Sequence, residues 1–403
     1  DLTRRGFLGV GAAAAAGALT FSSAVQTFGK EGSAAEGVGR KEQKKKLNKS
    51  KQDYFSVVGM QPIVHSCAKR REIREKNLKK HLELIDFFVP VSSGRLGAPA
   101  RLVVFPEFSL HGIPQKQDGS WNGVAIDIPG EETEMLGKKA RGHNIYVASH
   151  AWTEYPDLPG RPLSVGFLID PDGEVILRQH KVVPSRIVEA ASASPGDVYD
   201  WFVKKFGNGL DAFFPVADTE LGKIGCLICG DAYYPEVPRG LVLNGAELIV
   251  RPNAFGEPLL NEPSEMLTVL VRSHAFLNMC YVVDANPAQN FSGLGPRGLV
   301  GGKSQIVDYL GRVIAEAEGF VETAVMASVH MDTLRRHREE AVFGTCRYKI
   351  SPNAIFRQVY EKEVWPRNTL LDPSGPRDYK DWLRLHNRVI EQNRDIFSPS
   401  RTE

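Results

Sequence analysis

Apolar residues in this chain follow two rhythms. Short unbroken runs are typical of strands buried on both faces. They occur at YFSVVGMQ from Tyr54, RLVVFPE ending at Glu107, NIYVASHAW from Asn144, KIGCLICG from Lys223 and ELIVRP ending at Pro252. Between them, spacings of three and four predict helices. Ile73, Leu78, Leu82, Ile85 and Phe88 mark one over 69–89, and others are expected at 131–143, at PEVPRGLVLNG and at 262–279. SVGFLID and EVILRQHK flank Pro171-Asp172-Gly173, a turn signal, and form a predicted hairpin. CYVVDAN, KSQIVDYL, RVIAEA and TAVMASVHM add strands, with a turn at Leu310-Gly311. Strands alternating with helices indicate a layered α/β architecture. VVFPEF in the first half and IVRPNAF in the second echo one another over too short a stretch to establish a duplication. Beyond 341 the pattern thins, and YKISPNAIFRQVYEKEVWPRN reads as an extended, partly helical arm with an expected role in oligomer contact.

Composition changes this picture mainly at the N-terminus. The 403 residues, 42% hydrophobic, suffice for a large core. The net charge of +2 gives no global attraction to nucleic acid, and no nucleic-acid partner is expected. The positive excess is concentrated in RKEQKKKLNKSK, residues 40–51. Like-charge blocks are usually solvated, so 31–53 reads as a disordered linker, with a membrane-surface or nucleic-acid tether as the alternative. Residues 1–30 have the character of an export signal: Thr3-Arg4-Arg5-Gly6-Phe7-Leu8 followed by GVGAAAAAGALTF. The order T-R-R-x-F-L resembles the twin-arginine signal, with Gly9 where that signal often has lysine. The apolar run falls short of the ~20 residues of a membrane span. The expectation is a soluble protein exported by the twin-arginine machinery to the periplasm or beyond. Because that route carries folded proteins, a thiol could be enclosed in a finished site before meeting an oxidising compartment.

Thiols matter here because GKIGCLICGDAYYPE places Cys226 and Cys229 three apart. The five cysteines, Cys67, Cys226, Cys229, Cys280 and Cys346, form an odd and sparse set unlike a disulfide framework. Zinc needs about four ligands, and only one CxxC exists. A redox CxxC keeps both sulfurs accessible at a helix start, whereas Leu227 and Ile228 continue an apolar strand. The pair therefore divides. Cys226 is expected to be a packed small hydrophobe, and Cys229 stands where the strand ends and Gly230-Asp231 turns the chain. A nucleophilic thiol needs a base or a cation nearby. None of the ten histidines stands out by context. Glu107 ends one apolar strand, where an unpaired carboxylate is costly, and Lys181 ends another, where an ammonium can stabilise a developing oxyanion. Taken singly, each has a plain alternative: a salt-bridge partner, a solvated lysine, a packed cysteine. A carboxylate, an ammonium and a thiol at three strand ends carry more weight together.

These residues resemble the nitrilase superfamily of carbon–nitrogen hydrolases, nearest the aliphatic amidase and formamidase branch, over about 54–335. FPEF carries Glu107, RQHKVVP carries Lys181, and ICGDAYYPE with GAELIVR carries Cys229. In KVVPSRIVE, Glu189 stands eight positions after Lys181, as a second glutamate does in that branch. The resemblance implies an αββα sandwich over 54–340 and a Glu–Lys–Cys triad. Glu107 would be the general base, Cys229 the nucleophile, and Lys181 with the Gly230 backbone N–H the oxyanion holder, Glu189 orienting Lys181. It implies no metal or organic cofactor, a small-molecule amide as substrate, and a homodimer or larger homo-oligomer. Gly230 replaces the tryptophan of true nitrilases, which points toward amides, and Asp231-Ala232 departs from the amidase branch. Tyr199, Trp201, Phe202 and Phe206 could line a site mouth or an oligomer contact, or simply pack. The rival readings are a nitrilase, an N-carbamoyl hydrolase with Arg186, Arg251 or Arg272 receiving a substrate carboxylate, and a non-catalytic scaffold. An acyltransferase would need a membrane bundle, for which the chain has no segment.

Overall fold

The computed structural model describes residues 51–113, 123–255, 265–291, 301–340, 352–372 and 375–397. The expected signal, most of the linker and Cys346 lie outside the described residues. Fourteen strands appear in chain order among the described residues: β1 (Tyr54–Gln61), β2 (Ile63–His65), β3 (Ala100–Val104), β4 (Tyr146–Thr153), β5 (Leu163–Ile169), β6 (Val175–His180), β7 (Val216–Thr219), β8 (Gly222–Cys226), β9 (Leu248–Pro252), β10 (Tyr281–Ala285), β11 (Gln289–Phe291), β12 (Gln305–Val307), β13 (Val313–Glu316) and β14 (Thr323–His330). They form two six-stranded sheets, ordered β14-β1-β3-β4-β5-β6 and β13-β12-β10-β9-β8-β7, plus a β11-β2 pair.

The two sheets repeat one plan. In the first, β1, β3 and β4 run parallel and β5 and β6 follow antiparallel. In the second, β8, β9 and β10 run parallel and β12 and β13 follow antiparallel. The echoing segments VVFPEF and IVRPNAF thus lead out of equivalent strands, β3 and β9. Each sheet gains one more antiparallel edge strand, β14 against β1 and β7 against β8.

Alternation along the strands sends successive side chains to opposite faces. Val57, Leu102, Val104 and Leu168 of one sheet meet Ile224, Leu248, Val250 and Val283 of the other in a shared core. On the outer faces, Val58, Val103 and Val147 pack with Ile85 and Leu136, and Ile249 and Val282 pack with Leu241 and Val271. Those partners lie on helices Lys79–Leu96, Glu131–His143, Glu236–Leu243 and Met266–Asn278. The result is the expected αββα layering. Cys226 belongs to the core between the sheets, and a Cβ added to Gly166 on β5 would fall 2.5 Å from its sulfur. Burial pushes its thiol pKa up, so it is the packed neighbour that the sequence suggests.

Three differences from the expected elements have physical reasons. The first helix does not stop before Pro90 but runs to Leu96, because Pro90 is exposed and the carbonyl it leaves without an N–H partner, that of Asp86, is on the solvent side. The turn that opens this helix, Ile73–Leu78, is π-helical. A helix over Met331–Glu340 follows β14 directly; it buries only Met331 and Leu334, too few apolar positions to show a period. Part of the C-terminal region also packs on its own domain. Helix Tyr379–Gln392, capped by the Asp378 side chain accepting from Asp381 N–H at 2.9 Å, buries Trp382 and Val389. Trp201, Phe202 and Phe206 cluster with Tyr155 and His180, the plain packing alternative.

Candidate active site

Glu107, Lys181 and Cys229 each lie just past the C-terminal end of a strand, β3, β6 and β8, on two facing sheets. All three are nearly or fully buried. The Glu107 N–H reaches across the sandwich to Asn253 O at 3.1 Å, tying the end of β3 to the end of β9. The next residue, Phe108, has φ +58°, unusual for a non-glycine residue, and its N–H donates to His150 Nδ1 at 3.2 Å. Since Nδ1 accepts, Nε2 carries the proton and donates to Ser164 Oγ at 2.7 Å. Burial, with His111 and Lys181 nearby, holds this imidazole well below its usual pKa and hence neutral. Ser164 O in turn accepts the Lys181 N–H at 2.8 Å. His150 and Ser164 thus couple the Glu107 turn to the Lys181 strand end. Neither had a signal in the sequence, because their role depends on the β4–β5 pairing.

The Lys181 ammonium donates to Glu107 Oε1 at 2.6 Å and to Glu189 Oε2. Glu189 Oε2 also accepts the Ser185 N–H at 2.8 Å, which holds the second glutamate in place. Burial alone would lower the lysine's pKa, but the two carboxylates outweigh it and keep the ammonium charged well above its usual range. An ammonium has three donors, and two are committed to these carboxylates. Burial, assisted by Glu189, raises the pKa of Glu107 against the pull of Lys181. Glu107 Oε2 and Glu189 Oε1 are buried with no hydrogen-bond partner among the described residues.

Cys229 has φ +40°, in the left-handed region, at the head of a 3₁₀ turn over Cys229–Tyr233. Its carbonyl accepts from Arg251 Nη2 at 3.0 Å, while Arg251 Nη1 donates to Asp284 at 2.8 Å. A buried ion pair on β9 and β10 thereby holds the strained turn. Burial and the Glu107 charge push the thiol's pKa up; Lys181, Arg251 and the Ala254 N–H pull it back. The resting cysteine is therefore a thiol. Cys229 and Glu107 influence each other's ionisation, the cysteine drawing the Glu107 pKa down and the glutamate pushing the thiol's up. Asp231 binds the nucleophile turn to the lysine segment: its carboxylate accepts from Val183 N–H at 2.8 Å and Val182 N–H at 3.2 Å. Burial pushes its carboxyl up to about 7. Gly230 adopts no positive φ, and a Cβ there would meet nothing nearer than Val183 O at 3.9 Å. Glycine is thus not required by the backbone, and its smallness leaves space beside Cys229.

The three candidate arginines for a substrate carboxylate are otherwise engaged. Arg251 holds Asp284 and the Cys229 carbonyl, Arg186 pairs with Asp197 and donates to Ser192 O, and Arg272 donates to Gly311 O at 2.8 Å.

Comparison with known proteins bears on the family and the fold. The pattern of the carbon–nitrogen hydrolase family matches residues 56–339. Formamidases of Bacillus cereus and Bacillus anthracis are 28% identical over 229 residues, 56% of this chain and 59% of theirs. The chain thus spans about three-fifths of the length of these relatives. Among solved structures, a carbon–nitrogen hydrolase from Helicobacter pylori aligns with a TM-score of 0.62 at 17% identity, covering 77% of this chain and 99% of that one. Saccharomyces cerevisiae Nit3, of the nitrilase superfamily, gives 0.57 at 21%, covering 75% and 100%. An amidase from Nesterenkonia sp. gives 0.53 at 20%, covering 71% and 94%. With the family pattern extending over most of its length, this chain belongs to the carbon–nitrogen hydrolase family.

Proposed function

We propose that the protein hydrolyses a carboxylic amide to acid and ammonia through a thioester on Cys229. The observation that carries this reading is a buried ammonium shared by Glu107 and Glu189, with one donor uncommitted, beside a cysteine held in a left-handed turn. Glu107, made more basic by burial, takes the thiol proton as Sγ attacks the carbonyl carbon. The oxygen that gains negative charge is held by the third Lys181 donor and the Gly230 N–H, each such donor typically contributing about 2.7–4 kcal/mol. Collapse breaks the carbon–nitrogen bond, and the leaving nitrogen takes the proton from Glu107, departing as ammonia. Water then gives a proton to Glu107 and attacks the thioester, releasing the acid, and the proton returns to the thiol. Glu189 Oε1, buried without a partner, is suited to receive an N–H of the substrate amide. The engagement of all three arginines favours a neutral amide over an N-carbamoyl acid.

Export by the twin-arginine route, with action in the periplasm or outside the cell, is part of the same reading; it is supported by the Thr3–Leu8 motif. So is a homodimer or larger homo-oligomer. Helices Glu236–Leu243 and Met266–Asn278 leave Leu243, Val269, Phe276 and Leu277 exposed on the outer face of the second sheet.

The deciding experiment measures ammonia release and intact mass with formamide, acetamide, longer amides, ureido acids and nitriles. The expected result is ammonia from an amide, abolished by Cys229→Ser and retained by Cys226→Ser. Ammonia from nitriles alone would replace the amidase with a nitrilase. No turnover of any of these, with Cys229 inert to thiol probes, would leave a binding protein on this fold.

A further inference from the structure

The segment from Asn368 to the helix Tyr379–Gln392 lies against the loop that carries Glu189. Trp382 is 2% exposed, and its indole Nε1–H donates to the carbonyl of Ala190, the residue after Glu189, at 2.8 Å. The Arg186 guanidinium lies 3.7 Å over the same indole. Backbone bonds fix the rest of the loop: Asn368 N–H to Gly196 O at 2.9 Å and Leu370 N–H to Asp197 O at 3.0 Å. The Asp197 carboxylate joins both sides, accepting from Thr369 Oγ1 at 2.9 Å, from Ser194 Oγ at 2.7 Å and from Arg186.

This loop has no strand of its own to hold it. Between β6 and the helix at Tyr199 it makes turns and a single bridge, Leu163 to Ala193. Yet Glu189, within it, must hold Lys181 at a bond length while buried. Loops are ordinarily the mobile part of a fold, and a carboxylate displaced by a fraction of an ångström would release one of the two anions that hold the ammonium.

We propose that the C-terminal segment around Trp382 is an intramolecular clamp that positions Glu189 and, through it, Lys181. Trp382 is then a positioning residue for the reaction, acting on the ammonium two contacts away. The clamp's catalytic consequence rests on the amidase reading above.

The test compares Trp382→Phe, Trp382→Ala and, on the exposed side of the same helix, Leu383→Ala. Phenylalanine keeps an aromatic face for Arg186 but removes the donor to Ala190 O. Thermal stability, kcat and KM on the best amide, and the pH profile of Cys229 alkylation by iodoacetamide are measured on each. The expected result for Trp382→Phe is a fall in kcat on the order of tenfold to a hundredfold, with KM little changed. The alkylation profile should move, and the protein should stay folded well above assay temperature. Leu383→Ala should match the wild type in all respects. If Trp382→Phe and Trp382→Ala lower only the melting temperature and leave kcat and the alkylation profile unchanged, the segment is merely structural and the clamp is refuted. If the wild type turns over no amide but the Trp382 variants still shift Cys229 alkylation, the clamp stands and the amidase reading fails.

Discussion

Replacing Arg251 with methionine tests how the nucleophile turn is held. Arg251 and Asp284 are each about 1% exposed or less, and the guanidinium also bonds the Cys229 carbonyl. Removing one partner of a buried ion pair typically costs about 3–5 kcal/mol, because the other charge is left unpaired. The Cys229 carbonyl also loses a charge-assisted bond, typically about 1.5–3 kcal/mol. Burial already raises the Asp284 pKa, and Arg251 is the main opposing influence. In the variant the folded state should hold that proton more tightly than the unfolded chain. Its stability contribution is then present in acid and lost as pH rises, so the deficit should be largest at high pH. Arg251→Met with Asp284→Leu removes both charges and should recover most of the stability, since well-packed apolar replacements of buried pairs are often neutral. It should not recover reactivity, because Cys229 still lacks the donor that stabilises its left-handed turn, a conformation that costs about 1–2 kcal/mol for a non-glycine residue. Urea unfolding from pH 5 to 8 reads the first effect and iodoacetamide labelling of Cys229 the second. A double variant that regains full labelling along with stability would refute the idea that Arg251 holds the nucleophile turn.

Other outcomes follow from the same geometry. Glu189→Gln removes a charge that raises the Glu107 pKa, so the acid limb of the kcat/KM profile should move to lower pH, with kcat reduced by roughly 10²-fold; an unmoved acid limb would uncouple the two glutamates. Asp231, pushed up to about 7 in the folded protein, should contribute stability that is complete below about pH 4 and lost as pH rises through about 7. Asp231→Asn should flatten that part of the urea-midpoint profile, and a variant with the wild-type slope would show that Asp231 does not titrate there. Val269→Glu with Phe276→Glu should shift the light-scattering mass of the proposed homo-oligomer toward the monomer, and an unchanged mass would place the interface elsewhere.

What the sequence revealed follows from how local each signal is. The central strands were legible because β3 and β9 are buried on both faces and therefore largely apolar, with Arg101 and Arg251 as the charged exceptions. The three strand-end residues were legible as a set, since each stands at the end of a predicted strand. The connections between them were not. Asp231 was visible only as a departure from a pattern, yet it bonds a segment 48 residues earlier in the chain. Arg251 resembled a candidate for substrate binding because sequence does not show that Asp284 lies on the next strand. The helix at Tyr379 had a readable cap in Asp378 and an apolar face in Trp382, Leu385 and Val389, but the irregular stretch before it obscured the period.

The division of the site between the two sheets has a further consequence. Glu107, Lys181 and Glu189 come from the first half of the repeat, and Cys229 with Arg251 from the second. Between them the chain passes through an exposed stretch, 207–211. A polypeptide cut there would leave one fragment with the base and the cation and another with the nucleophile, neither able to turn over substrate alone. Turnover by the mixture would work as a logical conjunction, reporting that both pieces were present and had found each other.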